Sequence, residues 1–152
     1  MPAGNFRIGK LASLLSRRRV DHFICVRMTN IRYLTGFSGS DGVLLVSPAG
    51  AVFITDGRYE EQSRREVLGA EVVISDRKWK EVSRRIRRVR PSRIGFESRH
   101  LSVEQFRLLS RGDDRKWKPL PDPVEELRLR KEKEEVHAME RAAVTAAGAL
   151  LS

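Results

Sequence analysis

The chain has 152 residues and a mass of 17.4 kDa, the size of one ordinary domain, and hydrophobic residues make up 40% of it. Its 30 Lys and Arg residues against 20 Asp and Glu residues give a net charge of +10, which favours polyanionic partners but carries no information about the fold. The single cysteine excludes an intramolecular disulfide, and no run approaches the roughly 18 apolar residues that a membrane-spanning helix needs. We therefore expect a cytoplasmic domain with its own core.

The first third of the chain predicts a helix, a strand and a hairpin. Residues 5–16 carry apolar side chains at helical spacing, and residues 21–26 are typical of a short buried strand. Residues 28–37 contain the turn-forming Asn30 and are assigned neither a helix nor a strand. Two apolar runs, 43–46 and 51–55, are separated by Ser-Pro-Ala-Gly, and this pattern predicts a β-hairpin.

Helices and strands then alternate. The predicted elements are a helix at 58–67, a strand at 71–75, a helix at 79–89, a strand at 93–97, a helix at 103–109 and a strand at 117–120. Ser102 and Gln105 are spaced as the two ends of a capping box in front of the last of these helices. This alternation, with one inserted hairpin, predicts an α/β domain over residues 1–120, with three layers around a mixed sheet.

The remaining segment, residues 121–152, predicts one long linker helix. Asp122 is placed as its N-cap, Pro123 as its first residue and Glu125 as the partner that completes the cap. The second half of this helix carries an apolar stripe made of Val136, Met139, Ala143, Ala146 and Leu150. An apolar stripe needs a partner, so we expect it to contact a second domain or another subunit.

The sequence offers little support for chemistry within this chain. Its histidines are His22, His100 and His137. Glu97–His100 and Glu134–His137 have the Glu-x-x-His spacing of di-iron bundles, but the extra bridging carboxylates have no evident source, so these positions are interpreted as solvated polar residues. Cys25 lies in an apolar strand, where a thiol is usually inert. We predict no catalytic residue, no metal site and no cofactor in this chain.

Two segments leave a binding function to consider. The glycine-rich residues 36–42 lack both the Walker and the dinucleotide-binding spacing, so a simple turn is favoured over a phosphate site. Cations crowd residues 77–93, where Glu81 is the only acid between Lys78 and Pro91. Because the same segment has an apolar face, the cations are interpreted as the solvated face of a helix that covers a sheet rather than as a nucleic-acid site.

Four segments, in order along nearly the whole chain, resemble the creatinase/prolidase N-terminal domain. Residues 30–40 (Asn-Ile-Arg-Tyr-Leu-Thr-Gly-Phe-Ser-Gly-Ser) are similar to its signature segment. Residues 55–59 (Thr-Asp-Gly-Arg-Tyr) resemble its Asp-x-Arg-Tyr motif, and residues 94–97 (Ile-Gly-Phe-Glu) its later strand. Residues 126–143 resemble the helix that enters the catalytic domain. In that family the domain precedes the catalytic domain of Xaa-Pro aminopeptidases, Xaa-Pro dipeptidases and creatinase.

The resemblance implies that the chemistry lies outside this chain. The family's catalytic domain has the pita-bread fold and holds two divalent metals, Mn or Co, through two Asp, one His and two Glu, which would follow Ser152. Proline-containing peptides would be bound only through that domain. The N-terminal domain supports homo-oligomer assembly and shapes the entrance to a neighbouring subunit's active site. By that resemblance the positions of interest are Phe37, Ser38, Ser40, Asp41, Arg58 and Tyr59.

Alternatives to this assignment stay open. Arg58 can offer a cation to a peptide carboxylate, or Asp56 caps the following helix while Arg58 and Tyr59 pack internally, which is the favoured interpretation. The chain can also be a stand-alone basic module for nucleic acid or a protein partner, or a domain that dimerises through residues 136–150. An aminopeptidase, a dipeptidase and an amidinohydrolase are equally compatible with the sequence as the parent protein.

Overall fold

A computed structural model of the chain describes residues 3–89, 93–129 and 133–151. Its centre is one six-stranded sheet with the strand order β4-β3-β2-β1-β5-β6. The strands are β1 (His22–Cys25), β2 (Val43–Ser47), β3 (Gly50–Thr55), β4 (Glu71–Ile74), β5 (Ile94–Glu97) and β6 (Trp117–Leu120). β2 is antiparallel to both of its neighbours and the other pairs are parallel, so five strands end at the same edge, where β2 begins. We call this the carboxyl edge of the sheet.

Helices cover both faces of the sheet. They are α1 (Ala3–Arg17), α2 (Met28–Thr35), α3 (Glu60–Glu66), α4 (Lys78–Arg88), α5 (Val103–Ser110), α6 (Pro123–Leu129) and α7 (Lys133–Leu151). Side chains of α1, α2 and α6 pack in one core, and side chains of α4 and α5 pack in the other. The predicted three-layer α/β fold with a mixed sheet is therefore confirmed.

The alternation of side chains along the strands divides the core in two. In β1, Phe23 faces the α1 side, whereas Ile24 faces α4. In β3, Phe53 and Ile54 divide in the same way, and all four of these side chains are fully buried. Because strand residues point alternately to opposite faces, each central strand supplies both cores and reads as a continuous apolar run.

Local sequence signals predict several elements well. The hairpin forms between β2 and β3 with Ser47 opposite Gly50. Ser102 and Gln105 form the predicted capping box, in which each side chain binds the other residue's backbone N–H. The helix α2, by contrast, was not predicted, since its N-cap residue Arg27 makes no side-chain capping bond and the helix begins without a local signal.

The predicted linker helix corresponds to α6 and α7, and residues 130–132 between them lie outside the described part of the chain. α6 packs on the body of the domain, with Pro123 and Val124 buried. The described side chains of α7 from Val136 to Ala147 are exposed, so this helix lies away from the core. Among the helices in the described part, none is long and apolar enough to cross a lipid bilayer.

Two glycine substitutions test the packing of β5 against the α1 side. A Cβ on Gly95 would lie 2.8 Å from Val20 Cγ1 and 3.1 Å from Leu120 Cδ1, both of which are buried. We expect Gly95→Ala to lower the free energy of unfolding by about 1–3 kcal/mol because these side chains have no room to move. Gly9, in α1, has no atom within 4 Å of an added Cβ, so Gly9→Ala should raise it by about 0.5–1 kcal/mol.

Urea denaturation, monitored by circular dichroism, measures the change in the free energy of unfolding for both variants. If Gly95→Ala were neutral or stabilising like Gly9→Ala, β5 would not pack against Val20 and Leu120 as described.

Candidate functional site

The carboxyl edge of the sheet is organised by a buried carboxylate at the end of β5. Glu97 is fully buried, and its Oε2 accepts hydrogen bonds from the backbone N–H groups of Val26 at 2.6 Å and Arg27 at 2.7 Å. Its Oε1 accepts from Asn30 Nδ2 at 2.6 Å and from Cys25 Sγ at 3.4 Å. A carboxylate only accepts hydrogen bonds, so four donors match it. The interpretation of Glu97 as a solvated residue was therefore wrong.

Glu97 supplies the helix cap that the sequence around α2 lacks. The first N–H groups of a helix have no partner within it, and negative charge is favourable at that end. Arg27 is the N-cap of α2, and its N–H group points to Glu97, which lies 70 positions away along the chain. A local reading of the sequence cannot find a cap at this separation, which explains why α2 was missed.

Asn30 joins this carboxylate to a second one on α6. The buried Asn30 amide donates to Glu97 Oε1 and, at 2.8 Å, to Glu125 Oε1, while its Oδ1 accepts from Arg128 Nη1 at 3.2 Å. Arg27 Nη1 also donates to Glu125 Oε1 at 2.6 Å. The predicted role of Glu125 in capping its own helix is thus replaced by contacts with β1–α2.

These hydrogen bonds affect the ionisation of two side chains. Burial opposes the charge on Glu125, but the hydrogen bonds from Asn30 and Arg27 outweigh it and hold its pKa below the usual value. Burial raises the pKa of Cys25 well above its usual value, and the neighbouring Glu97 adds to the rise. Cys25 is fully buried and is therefore a protonated, inaccessible thiol, as its position in an apolar strand predicts.

The six predicted positions of interest lie together elsewhere on the carboxyl edge. Phe37 is buried against Phe53, with ring centroids 4.6 Å apart, and against the edge of Tyr59 at 5.8 Å. The Oγ atom of Ser40 and the hydroxyl of Tyr59 are 2.5 Å apart. A Cβ on Gly39 would lie only 2.3 Å from the Phe37 ring, so the turn between these residues requires glycine.

Ser38 and Asp41 connect this turn to the neighbouring helices. The backbone N–H and the hydroxyl of Ser38 both donate to Glu66 Oε2 at 2.8 Å, and this lowers the pKa of Glu66. Asp41 pairs with Lys78 at the start of α4, and its carbonyl oxygen accepts from Thr55 Oγ1 at 2.8 Å. The turn is therefore fixed to α3, α4 and β3.

Arg58 is ion-paired but exposed. Asp56 Oδ1 accepts from the backbone N–H of Arg58 at 3.0 Å, and the two Asp56 oxygens accept from Arg58 Nε at 2.9 Å and Nη2 at 2.8 Å. The Arg58 guanidinium lowers the pKa of Asp56 to about 2. Asp56 thus caps the turn before α3, as the favoured interpretation predicts. The Arg58 side chain is nevertheless 72% exposed, with Asp41 Oδ2 at 3.8 Å.

Much of the charge on α4 is paired within the domain. Arg84 and Arg85 both bind Glu81, and the hydrogen bond from Arg84 is the main reason that the pKa of Glu81 falls to about 2. Arg87 donates to Ser83 Oγ at 3.1 Å and to the Arg111 carbonyl at 2.8 Å. These contacts agree with the interpretation of these cations as the outer face of a helix that covers a sheet.

The apolar stripe of α7 is exposed wherever the structure describes it. Val136 and Met139 are exposed, Met139 by 55%, and so are Ala143 and Ala146. The side chain of Leu150 lies outside the described residues. Within the described ranges, no three His, Cys, Asp or Glu residues lie close enough together to hold a metal ion.

Comparison with known proteins gives consistent results. Residues 7–130 match the sequence model of the creatinase/prolidase N-terminal domain. The uncharacterized peptidase YqhT of Bacillus subtilis (strain 168) is 32% identical over 139 residues, which are 90% of this chain but 39% of that protein.

Two solved structures resemble the chain closely. A Xaa-Pro dipeptidase from Bacillus anthracis has a TM-score of 0.80 and 29% identity, over 88% of this chain and 38% of that one. The N-terminal domain of the cytoplasmic peptidase PepQ from Mycobacterium tuberculosis H37Rv has a TM-score of 0.75 and 31% identity, over 81% of this chain and 98% of that one. The chain therefore spans about two-fifths of the longer relatives and nearly all of the isolated domain.

Substitution of the buried carboxylate tests the first part of this geometry. Glu97→Gln keeps the shape of the side chain but turns an NH₂ group towards N–H donors, so we expect a loss of about 2–4 kcal/mol in the free energy of unfolding. The matched control is Glu126→Gln, because the side chain of Glu126 is exposed and pairs with Arg18 on the surface. We expect the control to change the free energy by less than about 1 kcal/mol.

Urea denaturation measures the free energy of unfolding of both variants. A Glu97→Gln variant as stable as Glu126→Gln would mean that Glu97 does not hold the start of α2.

Proposed function

The chain belongs to the creatinase/prolidase N-terminal domain family, and on this premise we propose that it is the non-catalytic N-terminal domain of a metal-dependent Xaa-Pro peptidase. The observation that carries the proposal is the contrast in coverage. The chain corresponds to nearly all of an isolated peptidase N-terminal domain but to less than half of the longer relatives. The hydrolysis of bonds next to proline is then the work of a catalytic domain beyond this chain.

The arrangement of the last two helices supports a connecting role. We propose that residues 1–120 form the domain and that residues 121–152 lead into the catalytic domain. α6 is held against the body by its contacts with Asn30 and Arg27, whereas the described side chains of α7 are exposed. Because an exposed apolar stripe is stabilised by burial, the stripe through Met139 is suited to pack against the catalytic domain.

The metals and the substrate belong to the catalytic domain in this proposal. Two divalent ions, Mn or Co, would be held there, since the described residues of this chain provide no group of three ligands. Proline-containing peptides would bind beside those ions. We further propose that the parent protein is a cytoplasmic homo-oligomer, and that this domain contributes to its assembly.

The turn before β2 and the Asp56–Tyr59 segment provide the surface for a second role. We propose that they shape the entrance to the active site of a neighbouring subunit. Support comes from Arg58, whose guanidinium is held in place by Asp56 and yet is largely exposed. Because Asp56 holds Arg58 in one orientation, the proposed role of Arg58 is to present an ordered polar surface at the entrance.

The runner-up function, a basic module for nucleic acid, has less support. Its centre would be α4, where Arg84 and Arg85 are paired with Glu81, and Arg87 is bound to backbone and side-chain oxygens. Cations that are neutralised within the protein release fewer counterions on binding a polyanion, so they contribute less affinity.

A peptidase assay tests the proposal. The native protein, isolated from its source cells with an antibody against this chain, should cleave peptides that have proline as the second residue when Mn²⁺ or Co²⁺ is supplied. The recombinant 152-residue chain should leave the same peptides intact. Chelation of the metal should abolish cleavage, and peptides with alanine in place of proline are the specificity control. Cleavage by the recombinant chain, or no metal-dependent cleavage by the native protein, would contradict the proposal.

A further inference from the structure

A pocket of about 280 Å³ lies between α4 and the sheet, at the end opposite the carboxyl edge. It opens where β1 begins and where β2 turns into β3, and residues from both of these places line it, among them His22, Ser47 and Gly50. It is therefore distinct from the surface around Arg58.

The floor of the pocket is a row of apolar side chains across three strands. Ile24 is paired with Leu45 in the register of β1 and β2, and Leu45 is paired with Val52 in the register of β2 and β3. Ile86 and Val89 form the wall on the α4 side. Ile24 and Ile86 are buried, whereas Leu45 and Val52 are only partly so, which means that α4 leaves part of this row uncovered.

His22 and Arg88 both line the pocket but differ in whether a ligand can reach their polar atoms. His22 Nδ1 is a buried atom without a hydrogen-bond partner among the described residues. Because this atom is enclosed by the protein, a ligand in the pocket does not reach it without movement of the side chain. Arg88 is exposed on the rim and makes no ion pair with the described residues.

The other arginine of the pocket is already bound. Arg85 Nε donates to Glu81 Oε1 at 2.8 Å, and Arg85 Nη2 to Glu71 Oε1 at 3.3 Å. Arg85 is therefore paired with these two carboxylates, whereas Arg88 has no ion pair with any residue that the structure describes. A ligand anion is therefore expected at Arg88 rather than beside Glu71.

We propose that this pocket binds a small amphiphilic carboxylate, with its apolar part on the Ile24–Leu45–Val52 row and its carboxylate at Arg88. The volume is at the lower end for ligand sites, which suits one aromatic ring or a short branched chain. Burial lowers the pKa of His22, which favours the neutral imidazole and leaves Arg88 rather than His22 as the charged partner of the carboxylate.

Titration of the ¹⁵N-labelled 152-residue chain with phenylacetate tests the proposal by NMR. We expect saturable shifts at the backbone amides of residues that line the pocket, such as Leu45 and Val52. Phenylacetamide, which has the same ring and no charge, should bind at least about tenfold more weakly, and acetate, which has no ring, should cause no saturable shifts. No saturable shift up to about 10 mM phenylacetate, or equal binding of phenylacetamide, would overturn the proposal.

Neighbouring arginines on α4 provide a matched pair of variants. Arg88→Gln should weaken phenylacetate binding about tenfold through the loss of a charge-assisted contact. Arg87→Gln removes the same charge from a side chain that does not line the pocket, and it should leave binding within about twofold of the original. The amide spectra of both variants report whether the fold is intact. Equal affinities of the two variants would overturn the assignment of Arg88.

Discussion

The buried carboxylate of Glu97 is the constraint on which the rest of this structure depends. A charge in a protein interior is very costly unless hydrogen bonds replace the water that it loses. Glu97 obtains those bonds from the backbone of Val26 and Arg27 and from Asn30, and so joins the ends of β1 and β5 to the start of α2. Asn30 also donates a hydrogen bond to Glu125, and this contact holds α6 against the domain. One side chain thereby positions two helices.

The rest of the carboxyl edge follows from this arrangement. The start of α2 is fixed by Glu97, and its C-terminal end leads directly into the turn at residues 36–42. In this turn Phe37 is buried and Ser38 donates hydrogen bonds to Glu66. The same edge holds Asp56 and Arg58, where β3 ends. Three of the segments that resemble the family's, residues 30–40, 94–97 and 126–143, meet in one hydrogen-bonded network through Asn30, Glu97 and Arg128. These segments have a structural role in common, because together they form the carboxyl edge of the sheet.

How much the sequence predicts depends on how local each interaction is. The hairpin and the capping box of Ser102 and Gln105 are set by residues a few positions apart, and both were predicted. α2 and the burial of Glu97 depend on contacts across about 70 positions, and both were missed. The turn around Phe37 and the Asp56–Arg58 pair were located through the family resemblance, whereas the pocket between α4 and the sheet leaves no pattern in the sequence. Its row of Ile24, Leu45 and Val52 exists only once the strand register is known.

The central claim is that this domain is a scaffold whose chemistry lies in another domain of the same protein. The size of the native product in its source cells tests that claim most directly, with an antibody raised against the 152-residue chain. The account predicts a band at more than twice the 17.4 kDa of this chain, since the longer relatives are more than twice its length. A band at about 17 kDa would contradict it, because the domain would then work alone.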